Sequence, residues 1–375
     1  MSDIKKISVF IPVYRESDFL EQTLSSLLNE PYKEKEIFVV IDEPTQKSLE
    51  IAKEFSLKGV HFKLNGERKG KSNALNEVVK ESSGDIFLFL DSDVLIDNAS
   101  GKSFLETISR EMENADIVEV RKEVIRDSFI AKVASYDYLG FTLANSYFSR
   151  KVGRCLVING AAFAIKREIF EKLGGFRRTI CEDLDIATRS FASGARFKFI
   201  SDLIVFTKAP SSLREWFSQR RRWAIGAAFW IKDNIKTLRK ALRKHPRVIV
   251  LSLLSSFPHI PLFLMSLFLP DKIFANALYM LLLLFSATTS FLIFPTAMTS
   301  LIIPAFKSLT VLFSIFFGYS LIFYVISRKI RFRFNFLEFT VFYFVMAPLW
   351  LILIVTSIIR VLAKKTSNIK IDWKI

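Results

Sequence analysis

Ile86-Phe87-Leu88-Phe89-Leu90-Asp91-Ser92-Asp93 is an unbroken apolar run that ends in two carboxylates one residue apart. Ser82-Ser83-Gly84-Asp85 bounds it in front, so the run reads as a strand buried on both faces. Residues i and i+2 of an extended chain share a side, which turns Asp91 and Asp93 toward one spot at the strand's carboxyl end. Open α/β sheets bind ligands at that end. Two hard oxygen donors there suit Mg²⁺ or Mn²⁺, with a diphosphate supplying further oxygens. Alone, such a triplet more often marks a solvated turn, and its neighbours must decide.

The chain has 375 residues, 51% of them hydrophobic, and its 38 phenylalanines exceed what a soluble domain needs. The apolar excess begins near Val248, while the first half has the charge content of an ordinary α/β domain. Cys155 and Cys181 are too few for a disulfide framework, and the three histidines show no zinc spacing. Met1 to Lys6 leads directly into a strand without a signal-peptide pattern, and the expectation is a cytoplasmic first half. The formal charge is +16, and its densest basic run, Arg220 to Arg247, sits just before the apolar half. That position favours anionic lipid headgroups over nucleic acid.

Working outward, Ile7 to Ile11 is a short strand ended by Pro12, and Ser17 is placed to cap a helix running to Leu28. Glu36 to Ile41 is a strand that leads to Asp42. A helix over Gln46 to Phe55 and a strand over Val60 to Leu64 follow, and Gly70-Lys71-Ser72-Asn73 opens the next helix. This alternation predicts βαβ units and a mostly parallel sheet. Asn65 to Ser72 nearly matches a phosphate-binding P-loop, but Asn65 stands where the tight turn needs glycine.

Further along, Asp116 to Val124 and Leu156 to Ile165 read as strands around a helix from Phe129 to Ser149. Asn159-Gly160-Ala161-Ala162 is a small-residue turn that permits a close backbone approach or a tight strand crossing. Glu182, Asp183 and Asp185 crowd a helix start, where the helix dipole alone would favour acids. Gln219-Arg220-Arg221-Arg222-Trp223 reads on its own as a basic helical face.

Taken in order, Asp42, the Lys71 helix start, Asp91-Ser92-Asp93, Glu182-Asp183 and Gln219 to Trp223 resemble the motifs of family 2 glycosyltransferases with a GT-A fold. Within them the chain is similar to the branch of cellulose, chitin and hyaluronan synthases and ceramide glucosyltransferases. The resemblance covers roughly Ile7 to Gly226. It implies a nucleotide-sugar donor, UDP-linked, with Pro12, Tyr14, Glu16 and Asp42 around the base and Lys71 near the phosphates. It also implies Mn²⁺ or Mg²⁺ on Asp93, with Asp91 closer to the ribose and sugar, and Arg222 on the departing pyrophosphate. Asp183 would be the general base of an inverting transfer, its pKa raised by Glu182 and Asp185. Glu182, Gln219 and Trp223 would meet the acceptor. Cys181 and Thr207-Lys208-Ala209-Pro210 depart from the common pattern on the acceptor side.

Three regions follow: a GT-A domain over 1–226, an interfacial amphipathic helix over 227–247 and a transmembrane region over 248–375. In the second, Ile231, Ile235, Leu238 and Leu242 share a helical face ringed by lysines and arginines, as on an anionic leaflet. Four stretches reach the roughly 20 apolar residues a span needs: Val248–Leu269, Ile273–Phe294, Leu309–Ile326 and Leu337–Ile359. A cytoplasmic start then sets the basic loop Arg328 to Arg333 outside, against the positive-inside tendency. A re-entrant first stretch, broken by Pro258 and Pro261, would return that loop inside. These features predict a multi-pass protein of the cell membrane whose acceptor is a lipid, a lipid-linked sugar or a short glycan. Processive polysaccharide synthesis is the alternative, and an inactive membrane scaffold the rival of another class.

Overall fold

In a computed structural model the described residues are 5–97, 101–247, 250, 268, 270, 272–273, 275–281 and 296–363. The first seven elements alternate as expected. They are β1 (Ile7–Tyr14), α1 (Leu20–Leu28), β2 (Lys35–Asp42), α2 (Gln46–Ser56), β3 (His61–Asn65), α3 (Lys71–Val79) and β4 (Ile86–Leu90). Then come β5 (Val94–Ile96), α4 (Phe104–Glu113), β6 (Ile117–Val124), α5 (Phe129–Lys151), β7 (Ala162–Lys166), α6 (Arg167–Lys172), α7 (Glu182–Ser193), β8 (Phe197–Thr207) and α8 (Leu213–Lys244). The eight strands form one sheet in the order β3-β2-β1-β4-β7-β6-β8-β5.

Strands β3, β2, β1 and β4 are parallel, as are β6 and β8. Strand β7 runs antiparallel between β4 and β6, and β5 antiparallel to β8. The result is a mixed α/β sheet. Every residue of β4 is buried, and its alternating Leu/Phe sequence sorts the two faces. Ile86, Leu88 and Leu90 enter an aliphatic core with Val9, Val39 and Leu105. Phe87 and Phe89 enter an aromatic one with Phe10, Phe163, Phe170 and Phe176.

Several local expectations need correcting. Pro12 lies inside β1 rather than ending it. Pairing of β1 with β4 stops at Phe10↔Phe89, so beyond that point one flank of β1 needs no N–H donor. Ser17 does not cap α1, whose N-cap is Phe19. Its hydroxyl donates instead to the Ser92 carbonyl and accepts the Phe19 N–H at 3.3 Å. The expected strand from Leu156 shrinks to β7, because the chain spends Asn159 to Ala161 on a turn. Asp91 to Asp93 is also a turn rather than extended strand.

Helix α8 runs unbroken through residue 226 for 32 residues. Its apolar stripe is divided: Trp230, Leu238 and Ala241 pack on the aromatic core, while Ile235 and Leu242 stay exposed. The chain divides into two compact units, Met1–Ser252 with Leu349–Ile375, and Leu253–Pro348. In the second unit, α9 (Thr296–Lys329) and α10 (Phe336–Val341) share an aromatic cluster of Phe316, Phe339 and Tyr343. A single π turn, Phe342–Met346, leads to α11 (Ala347–Ala363). Pro304–Lys329 and Phe336–Ala363 are each long and apolar enough to cross a membrane. They correspond to the third and fourth expected spans. The stretches Val248–Leu269 and Ile273–Phe294 lie largely outside the described residues.

The start of β4 is held by one carboxylate. Glu36 accepts from Ser8 Oγ at 2.6 Å, Ser83 N at 2.7 Å and Gly84 N at 3.1 Å, and pairs with Lys6 at 2.8 Å. A Cβ on Gly84 would lie 2.3 Å from Ser8 Oγ, so the turn needs glycine. Burial would raise the Glu36 carboxyl, but these bonds outweigh it and hold it at about 2. A depressed acid stabilises the fold above its unfolded pKa and loses that contribution as pH falls through the folded value. Glu36→Gln should therefore cost about 2 kcal/mol at pH 7, with the difference vanishing near pH 2. Denaturant titration followed by circular dichroism reads this, and equal stability at pH 7 would refute it.

Candidate active site

Strand β4 delivers Asp91 and α7 delivers Glu182 to one cation, Lys71, the first residue of α3. Lys71 Nζ lies 2.7 Å from Asp91 Oδ1 and 2.6 Å from Glu182 Oε1. Burial would push this ammonium down, but the two carboxylates overcome it and raise it well above the ordinary lysine range. The neighbouring motif residues make that meeting possible. Gly70 begins α3 at φ 82°, a conformation that favours glycine. Asn76, one turn further, donates to Phe176 O at 2.7 Å and accepts from Phe176 N at 2.9 Å. That pins α3 to the segment leading into α7.

Asp183 follows Glu182 and is held by two backbone donors, Gly160 N at 3.0 Å to Oδ2 and Leu184 N at 2.8 Å to Oδ1. Burial first, then the Glu182 charge, lift its carboxyl to about 7 against the pull of Lys71 and those two donors. Asp185 plays no such part: it is buried and pairs with Arg189 at 2.6 Å. Gly160 is a glycine because a Cβ there would come within 2.9 Å of Asp183 Cβ. The small-residue turn thus admits a carboxylate.

Asp93 is exposed at the end of its turn. Even so, enough protein surrounds its carboxyl that desolvation, then the Asp91 charge, raise it to about 6, while Lys71 and the Thr207 hydroxyl oppose this. Thr207 therefore reaches the acidic site from the end of β8. Among the described residues no three acidic, histidine or cysteine side chains cluster to hold a metal ion. The Asp91–Asp93 pair still fits a hard divalent ion, since its excess negative charge seeks a cation and further oxygens would come from a phosphate-bearing ligand.

Asp42 ends β2 buried, accepting from Asn65 Nδ2 at 2.8 Å, Lys69 N at 2.9 Å and Gly70 N at 2.8 Å. Asn65 thus serves Asp42, where a P-loop would need a glycine. Tyr14, exposed at the end of β1, donates to Glu43 Oε2 at 3.1 Å and lies under the Arg68 guanidinium at 4.2 Å. Glu16 accepts from Thr45 Oγ1 at 2.8 Å, and Pro12 sits two residues before Tyr14 on β1.

In α8, Arg222 is exposed, and Gln219 and Trp223 are half-buried. Arg220 behaves differently. It is buried, pairs with Asp137 at 2.5 Å and lies over the rings of Trp223, Trp350 and Trp216 at 4.7, 5.2 and 5.5 Å. The sequence reading passed over Arg220, Asp137 and Tyr138. Burial and then the charges of Asp93, Asp137 and Asp91 raise the Tyr138 phenol, which Arg220 lowers. Nothing in the spacing of α5 marks Tyr138, because the charges that act on it, its neighbour Asp137 apart, lie on segments far away in sequence. Cys181 is a packing residue: a Cβ on Gly226 would meet its Sγ at 2.4 Å, so α8 crosses the start of α7 closely.

The family described as Glycosyl transferase family 2 matches residues 8–174. Among curated proteins, the probable glycosyltransferase YdaM of Bacillus subtilis is 29% identical over 253 residues, covering 65% of this chain and 60% of YdaM. A poly-β-1,6-N-acetyl-D-glucosamine synthase of Staphylococcus epidermidis is 25% identical, covering 64% of this chain and 60% of the synthase. The chain thus spans about 60% of the length of the curated relatives it matches. Among solved structures, the mannosyltransferase PcManGT of Pyrobaculum calidifontis, in complex with GDP-Man and Mn²⁺, covers 82% of this chain and 86% of its own at a TM-score of 0.49 and 18% identity.

Glu182 supplies the nearest like charge to Asp183, so Glu182→Gln should move the Asp183 midpoint below 7. Infrared difference titration of the carboxyl band reads that shift, and an unmoved midpoint would leave burial as its sole cause.

Proposed function

We propose that this chain, which carries a family 2 glycosyltransferase domain, moves a sugar from a UDP-linked donor to a hydroxyl of a membrane-associated lipid, lipid-linked or short glycan acceptor. The observation that carries the proposal is Asp183. A carboxyl lifted to about 7, with both oxygens held by backbone N–H groups, is a base matched to neutral pH and fixed in aim.

The reaction follows from that placement. An Asp183 oxygen takes the acceptor proton as the hydroxyl oxygen bonds to the anomeric carbon. The carbon–phosphate-oxygen bond breaks on the opposite face, and its electron pair leaves with the nucleoside diphosphate. Attack on one face and departure from the other invert the anomeric centre, so an α-linked donor yields a β-linked product. Pro12, Tyr14, Glu16 and Asp42 border the base at the ends of β1 and β2, and Lys71 and Arg222 provide positive charge for the diphosphate. Mn²⁺ or Mg²⁺ held by Asp93 and Asp91 would supply Lewis-acid neutralisation of the departing diphosphate. Glu182, Gln219 and Trp223 border the acceptor side, where Trp223 offers a stacking face.

The acceptor belongs at a membrane. Two apolar helices of spanning length and the exposed Ile235, Leu242 and basic residues of α8 support a multi-pass protein of the cell membrane with its sheet domain cytoplasmic. A second reading, processive polysaccharide synthesis, is favoured by the similarity to a poly-β-1,6-N-acetyl-D-glucosamine synthase. A mass-spectrometric product profile separates them: one added hexose supports single transfer, and a ladder supports polymerisation.

Detergent-solubilised protein with UDP-sugars and Mn²⁺ should release UDP, whereas no release with any donor would leave only a scaffold. Asp183→Asn should bind UDP normally and lose transfer by about a hundredfold or more; retained transfer would remove Asp183 as base. Asp93→Ala should weaken Mn²⁺-dependent UDP binding more than Asp91→Ala does. Equal losses by calorimetry would contradict the split between the two carboxylates.

A further inference from the structure

Glu119 and Lys122 of β6 form an ion pair at 2.7 Å with side chains 2% and 3% exposed. A pair this deep gains little net stability once both charges are desolvated. Residues three apart on a regular strand face opposite sides. These two meet where the pairing of β6 with β8 breaks register between Val120 and Arg121, leaving Ser201 to Leu203 without partners in β6. The buried pair thus sits at a local irregularity of the β6–β8 ladder.

The remaining bonds of Glu119 lead to the active site. It accepts from Asn145 Nδ2 at 2.8 Å and from the backbone N–H of Asn159. Asn159 opens the turn before β7, and its Oδ1 closes that turn by accepting from Ala161 N at 3.1 Å. Within the turn, Gly160 N donates to Asp183 Oδ2 at 3.0 Å, and Ala161 O accepts from Asp91 N at 2.9 Å. Because β7 lies between β4 and β6, these three residues touch both acidic motifs and the buried pair beneath.

We propose that Glu119 is a positioning residue for transfer: braced by Lys122 and Asn145, it holds the Asn159–Ala161 turn that sets Asp183 in register with Asp91. The proposal rests on Asp183 acting as the base. Glu119 touches no reacting atom and acts through two backbone groups. Its carboxylate is used because it accepts from Lys122, Asn145 and Asn159 at once, which an amide does less well.

The test is the double variant Glu119→Gln with Lys122→Met in the full chain, which removes both charges together and strands neither. Hydrogen exchange needs no substrate and should quicken roughly tenfold or more at residues 159–161, with β1 to β3 unchanged. Calorimetry with UDP and Mn²⁺ should give wild-type affinity, while kcat for UDP release from a UDP-sugar the wild type turns over should fall roughly tenfold or more. Unchanged exchange at the turn, or unchanged kcat, overturns the proposal. So does exchange rising equally across β1 to β3, since the pair would then hold the sheet and not the turn. A wild type that turns over no UDP-sugar refutes the transferase reading, and the exchange result still decides whether Glu119 holds the turn.

Discussion

One ammonium group lets this site exist. Asp91, Asp93, Glu182 and Asp183 arrive from two distant parts of the chain, and such carboxylates repel one another in a partly desolvated cleft. Lys71 bonds Asp91 and Glu182 at 2.7 and 2.6 Å and so ties the end of β4 to the start of α7. Asp183 and Asp93 are left outside that bridge, with carboxyls lifted to about 7 and about 6. The arrangement separates four acids into two that share one ammonium and two with raised proton affinity. One of those two suits proton transfer and the other suits a cation.

The supports behind that division are polypeptide rather than solvent. Asn76 fastens α3 to the approach of α7, Asp42 collects the N–H groups ahead of α3, and the Gly160 turn presents a donor to Asp183. Helix α8 crosses α7 so closely that Gly226 has no room for a side chain. It carries the Gln219 to Trp223 motif and the basic face on one continuous rod. Arg220, among three tryptophans including Trp350 of α11, seats that rod on α5 through Asp137. Exposed Arg222 and buried, paired Arg220 thus differ sharply within one basic run.

Much of this was legible because period and position carry it. The β4 run, the βαβ alternation, the α3 start and the acidic start of α7 all follow from local patterns, and the motif order pointed to the family. The rest depends on contacts between distant segments. Asp185 and Glu182 look equivalent in sequence, yet Arg189 takes the first and Lys71 the second. Lys208 read as the departure within Thr207-Lys208-Ala209-Pro210, yet it is the Thr207 hydroxyl that acts on Asp93. Pro12 read as a strand end, but the open flank of β1 accommodates it. Periodicity also gave α8 one apolar stripe, which packing divides between the domain core and the surface.

In the proposed reaction Asp183 deprotonates an acceptor on the face opposite the departing diphosphate. The anomeric configuration of the first product tests it most directly. Proton NMR coupling constants on product made from an α-linked UDP-sugar should show a β-linkage, and an α-linkage would rule out Asp183 as the base of an inverting transfer.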